Sequence, residues 1–142
     1  MNLCPCGARG DAAAECSCSP VQLDRYRHRV SRALLDRVDL VLALPRPRAA
    51  EPGTHAGEAS DVVRSRVTAA RTVLATMTAP LAPSAAELLD RAVERLPLSG
   101  RGRARVLRVA RTIAACVAAD AVAAEHVAEA LSYRSPSELE RP

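Results

Sequence analysis

Neither Phe nor Trp occurs in this 142-residue chain, and Tyr26 and Tyr133 are its only Tyr. About half of the residues are apolar (49%), which is enough for a core. That core has to be filled by Ala, Val and Leu. Side chains this small let helices approach closely, because interaxial distance depends on the residues at the contact. The composition therefore favours packed helices over a sandwich of sheets.

Apolar spacing along the chain agrees. Ser19-Pro20-Val21-Gln22 reads as a helix start, with Ser19 as N-cap, Pro20 in the first turn and Gln22 completing a capping box. Leu23, Tyr26, Val30 and Leu34 follow at helical spacing, with Arg25, Arg29 and Arg32 on another face. Val38 to Leu44 (VDLVLAL) is a short apolar run closed by Pro45, and reads as a buried strand of a parallel sheet. A lone buried strand cannot satisfy its backbone hydrogen bonds, and the chain offers no second convincing strand. Residues 45–57, rich in Pro, Gly and Ala, read as exposed.

Beyond them the pattern is helical throughout. Val63, Val67, Ala70, Leu74 and Met77 form one stripe. Ser84-Ala85-Ala86-Glu87 is a second capping box, opening a helix to about Leu96. Ser99 caps a long helix with Val106, Ala110, Ile113 and Val117 inward, and Cys116 in this run is expected in the core. A last helix over about residues 123–134 presents Val127 and Leu131. Four helices with short connections predict a small bundle. The expected division is residues 1–48, a linker at 49–57, a helical unit at 58–134 and a tail at 135–142.

All twenty basic residues are Arg, and the formal net charge is +4. Residues 21–48 carry seven Arg against three Asp, and residues 99–111 carry five Arg with no acid. Two basic blocks in an otherwise balanced chain point to anionic partners, nucleotide or nucleic-acid phosphates. No apolar run is long enough to span a bilayer, and the N-terminus lacks the layout of a signal peptide. A cytoplasmic, reducing compartment is expected, where disulfides rarely persist. Cys4, Cys6, Cys16 and Cys18 form two C-x-C pairs. Four thiolates can close a tetrahedral zinc shell, giving a structural site with no position left for water. Disulfides, with three possible connectivities, and unliganded thiols are the competing readings. His28, His55 and His126 show no paired spacing, and none is assigned a metal or catalytic role.

The runs CPCG…CSC, Tyr26…Ser31…LLDRVDL and SGRGRARVLRVARTIA…EHVAEALSYR resemble the C-terminal part of the magnesium-chelatase-like AAA+ ATPases of the YifB/ComM group. That resemblance implies a mainly α fold. A four-helix C-terminal lid bundle would follow a zinc-knob loop, a helix and one strand left from a truncated AAA+ αβ domain. It places Asn2 at the sensor-1 position, Arg37 as an arginine finger acting in trans, and Arg101 as the sensor-2 arginine over ATP. It also implies a homo-oligomeric ring, ATP with Mg²⁺, and ATP-driven remodelling of DNA such as branch migration. The chain departs from the family pattern at Leu3, Arg32-Ala33 and Ala115. It contains no G-x-x-x-x-G-K-[ST] and no Lys, so this segment alone is expected to be inactive. Arg25, Arg27 and Arg29 are candidate contacts for DNA phosphates. The alternative is a non-enzymatic, zinc-stabilised helical module that binds nucleic acid or a partner protein. A remnant of a true metal-chelatase motor is a third reading, and the cysteine pairs argue against it.

Overall fold

The structure, a computed structural model, describes residues 2–11, 13–35, 37–42, 44, 57–76, 80–96 and 98–134. Among these residues are six helices: α1 (Pro20–Arg27), α2 (Arg32–Leu35), α3 (Ser60–Thr76), α4 (Pro83–Arg95), α5 (Gly100–Cys116) and α6 (Ala124–Ser132). Their starts follow local chemistry. Ser19 Oγ accepts the Gln22 N–H at 3.3 Å, while Gln22 Oε1 accepts the Ser19 N–H at 2.9 Å, the reciprocal pair expected for α1. Ser99 Oγ accepts the Gly102 N–H at 3.0 Å and opens α5 in the same way. α4 differs from expectation. Its N-cap is Ala82, with Pro83 as the first helical residue, so Ser84 lies inside the helix and caps nothing. Proline lacks an N–H and has its φ preset, so it suits that first position without a side-chain cap.

The core is built from α4, α5 and α6. Leu89, Val106, Val122 and Val127 are fully buried, with Ala85, Ala110, Ala114 and Ala130 filling the spaces between them. α5 packs against α3 and α6, and α4 packs against α6. α3 sits at the margin. Ala70 is its buried residue, Val63 and Leu74 are half-buried, and Val67 remains 46% exposed. Met77 lies outside the described residues. A parallel bridge, Leu81 with Val122, ties the approach to α4 to the approach to α6. It rests on the Ala82 N–H to Val122 C=O bond (3.0 Å) and the Val122 N–H to Pro80 C=O bond (3.1 Å).

The expected strand does not form. Residues 38–42 and 44 have no strand pairing, and Leu40, Leu42 and Leu44 are 48%, 64% and 88% exposed. A strand exists only against a neighbour's edge. Here the backbone partner is the end of α6, where the Val41 N–H donates to the Tyr133 carbonyl at 3.0 Å. α1 also stops at Arg27, and turns at His28 and Arg29 separate it from the short α2, so the apolar spacing through Leu34 does not mark one continuous helix. Cys116 is exposed rather than in the core. Ala110 and Ala114 hold the inward stripe four residues apart, which turns position 116 towards solvent. Val117, also expected inward, caps α5 and is 63% exposed. The expected linker, apart from Gly57, and the 135–142 tail lie outside the described residues.

α5 ends in a Schellman motif. The Ala119 N–H reaches the Ala114 carbonyl at 2.9 Å, and the Ala118 N–H reaches the Ala115 carbonyl at 3.1 Å. The left-handed position belongs to Ala118, at φ 51°, where glycine is the usual occupant. Ala118→Gly is therefore expected to raise stability by about 0.5–1 kcal/mol, since the Cβ clash at this φ disappears. Leu89→Ala should lower stability by about 2–5 kcal/mol, through lost burial and the cavity left behind. Urea denaturation midpoints check both. An Ala118→Gly variant less stable than the parent would contradict the strain argument.

Candidate metal centre and exposed arginines

Two glycines shape the N-terminal loop. Gly7 stands at φ 80° and donates its N–H to the Cys4 carbonyl at 3.2 Å. Gly10 stands at φ 84°, and a Cβ there would come within 3.0 Å of Leu3 Cδ1. Both positions need the left-handed freedom of glycine. The turns fold the two C-x-C pairs onto each other. Cys4 Sγ lies 3.3 Å from Cys6 Sγ, and Cys16 Sγ lies 3.6 Å from both. With Cys18 included, the four sulfurs all lie within 4.8 Å of one another.

That spacing fits a metal shell. A tetrahedron with metal–sulfur bonds of about 2.3 Å has sulfur–sulfur edges of about 3.8 Å. The five cysteines are free thiols, so the disulfide reading is not what the loop adopts. The Arg9 N–H donates to Cys4 Sγ at 3.3 Å and aims a backbone dipole at a sulfur that would carry negative charge. Burial supports the same conclusion. Among the described residues from 2 to 44, Cys4 alone is buried, so this region has no apolar core to hold it.

The thiols titrate as a set. The Cys6 thiol is lowered to about 6, first by its backbone hydrogen bond at Ala8 and then by the thiols of Cys4 and Cys18. Cys18 moves the other way, to about 12: its backbone hydrogen bond at Cys6 favours the thiolate, but desolvation and the Cys6 and Cys16 sulfurs outweigh it. Cys16 is raised too; its backbone hydrogen bond at Cys18 is outweighed by desolvation and the thiols of Cys4 and Cys6. The cluster gives up one proton readily and resists losing more, as grouped anions must. A dication removes that resistance and couples metal binding to proton release.

Two arginines of α5 have carboxylate partners. Arg103 pairs with Asp90 at 2.9 Å and Arg105 with Asp39 at 2.5 Å. The Arg103 side chain stays 43% exposed beside its partner, and that of Arg105 is 22% exposed. Arg37 and Arg101 are exposed and make no ion pair among the described residues. Arg37 lies in the turn after α2, its N–H donating to the Leu34 carbonyl at 2.9 Å, and Arg101 lies in the first turn of α5. Asn2 is exposed beside the cysteine turn, with its Nδ2 3.4 Å from where a Cβ on Gly7 would stand. A groove of about 550 Å³ between the loop and α1 is lined by Pro5, Cys6, Ser17, Cys18, Gln22, Arg25, Tyr26 and Arg29.

Comparison with known proteins gives the family. The family described as magnesium chelatase, subunit ChlI, matches residues 1–51, and the C-terminal region of the same subunit matches residues 72–134. The chain belongs to the magnesium-chelatase-like family. The uncharacterised protein YifB of Salmonella typhimurium is 36% identical over 86% of this chain. An uncharacterised protein of Mycobacterium tuberculosis is 35% identical over 94% of it. The competence protein ComM of Haemophilus influenzae is 33% identical over 82%. The chain spans 28%, 30% and 26% of the lengths of these relatives.

One working residue of this family member was not legible from spacing. His126 is buried, and its Nδ1 accepts the Ala123 N–H at 3.0 Å, a side-chain cap for α6 where Ala123 offers none. Its position three residues after the N-cap was the available signal. No described helix is long and apolar enough to cross a membrane.

One metal ion per chain is expected on Cys4, Cys6, Cys16 and Cys18, and the all-sulfur donor set suits zinc. Elemental analysis of protein purified without added metal checks this, and Cys4→Ser should abolish the signal. Affinity should rise with pH above about 6, where the Cys6 proton is already lost while Cys16 and Cys18 must still give theirs up. Metal-free protein with four reactive thiols and a folded loop would refute it.

Proposed function

We propose that this chain is the arginine-finger and lid region of a ring-forming AAA+ ATPase of the YifB/ComM type, which uses ATP to remodel DNA. The observation that carries the reading is the pair of family matches in order, the first containing Arg37 and the second Arg101, both of them exposed. Both guanidiniums fit phosphate, which they can bind through two parallel N–H donors. In this reading Arg37 reaches the γ-phosphate held by a neighbouring subunit and stabilises charge that develops in the transition state. Arg101 lies over the nucleotide of its own subunit, near the positive end of α5. Asn2 orients the attacking water as sensor 1. Zinc on the four cysteines holds the loop between these elements, and α3 to α6 act as the lid. ATP and Mg²⁺ supply the phosphoryl group and its counter-charge; this segment has no lysine and no phosphate-cradling loop of its own.

A second reading is a non-enzymatic zinc module that binds nucleic acid. One observation favours it: Arg25 and Arg29 line the groove beside the cysteine loop together with Tyr26. That combination of guanidiniums and a ring suits a strand's phosphates and bases.

Subunit mixing in a longer relative separates the two. Alanine at the position aligned with Arg37 should lower ATP turnover by about 10³-fold or more while leaving ATP binding nearly unchanged, since a finger acts on the transition state. Alanine at the position aligned with Arg101 should weaken binding and turnover together. Mixing the first variant with one whose phosphate-binding lysine is replaced should restore part of the activity. A mixture that assembles into rings and stays inactive would remove Arg37 from the trans role.

A further inference from the structure

Three contacts join the segment after Arg37 to the distant end of the chain. Asp39 Oδ1 accepts from Arg105 Nη1 at 2.5 Å, across 66 residues of sequence. The Val38 carbonyl accepts from Arg134 Nη1 at 2.6 Å, across 96 residues. The Val41 N–H donates to the Tyr133 carbonyl at 3.0 Å. The Arg105 side chain is 22% exposed and that of Asp39 40%, so water screens this pair less than a surface pair. Arg134 also lies across the start of α5. Gly102 is buried, and a Cβ there would stand 3.4 Å from Arg134 Nη2.

Turn bonds from the Arg37 and Val38 N–H groups to Leu34 and Leu35 tie this segment to α2, and the three contacts tie it to α5 and the end of α6. Residues 38–42 have no strand partner, their leucines are exposed, and Arg37 sits at their head in an exposed turn. Arg105 lies four residues after Arg101 on the same helix, about 6 Å further along its axis. We propose that Arg105 and Arg134 are positioning residues that fasten the segment carrying Arg37 to α5 and α6. Arg37 and Arg101 then move as one unit. The inference rests on the roles proposed above for those two arginines. It adds a route between adjacent nucleotide sites: a shift of α5 caused by a subunit's own nucleotide at Arg101 displaces the finger offered to its neighbour. The route is one helical turn, one ion pair and two residues of chain.

Amide hydrogen exchange on the full 142-residue chain, read at Val41, tests the clamp. Val41 should be protected in the parent. In the double variant Arg105→Ala/Arg134→Ala its exchange should accelerate about tenfold or more, as expected for loss of charge-assisted bonds, while the α5 amides from 106 to 114 keep their protection. Exchanging the partners, Arg105→Asp with Asp39→Arg, should recover most of what Arg105→Asp alone loses, a rescue that general destabilisation would not give. An unprotected Val41 in the parent overturns the proposal. So does unchanged exchange in the double variant, equal loss along α5, or a swapped pair without rescue. Metal content and subunit mixing test the proposed function separately, so failure of the clamp leaves that function standing.

Discussion

The buried face of α5 is the constraint on which the rest of the described structure depends. Val106, Val109, Ala110 and Ala114 present a surface with little bulk, and α3 and α6 both pack against this helix. Close approach is what lets a core without large aromatic side chains exclude water, since dispersion contacts fall steeply with any gap. The same helix carries Arg101 at its capped end and Arg105 one turn later, so its position sets both the exposed guanidinium and the anchor for Asp39.

The two ends of the chain are held by different physics. Residues 80–134 bury a continuous cluster of Leu, Val and Ala, whose stabilisation comes from apolar area removed from water. Among the described residues from 2 to 44 only Cys4 is buried, and the loop is shaped by turns and converging sulfurs. A segment too poor in apolar contacts to order itself can be ordered by a metal, because a preformed site is absent from the unfolded chain and binding free energy then becomes folding free energy. The family match covers both ends in order, which suits one working unit assembled from two kinds of stabilisation.

Much of the candidate metal centre was legible, because C-x-C spacing and flanking glycines constrain a short loop almost without help from the rest of the chain. The helical region was legible for the same local reason: Ser19 and Ser99 cap where their side chains can reach, and the stripes of α4 to α6 follow the 3.6-residue period. Local rules failed where a partner decides. VDLVLAL has the composition of a strand, yet pairing needs an edge, and the end of α6 supplies one bond instead. Ser84 has the spacing of a cap, but Pro83 had already started the helix.

By itself, then, the sequence determined the helical class, the cap positions of α1 and α5, and which four sulfurs converge, since each depends on residues within about one turn or one loop of each other. Tertiary structure decided which arginines are paired. Arg103, Arg105 and Arg101 look alike in sequence, two residues apart at the start of one helix. Arg103 finds Asp90 and Arg105 finds Asp39, while Arg101 faces solvent. Nothing local separates them, because the partners come from α4 and from a segment 66 residues away, and only packing brings those carboxylates within hydrogen-bond reach.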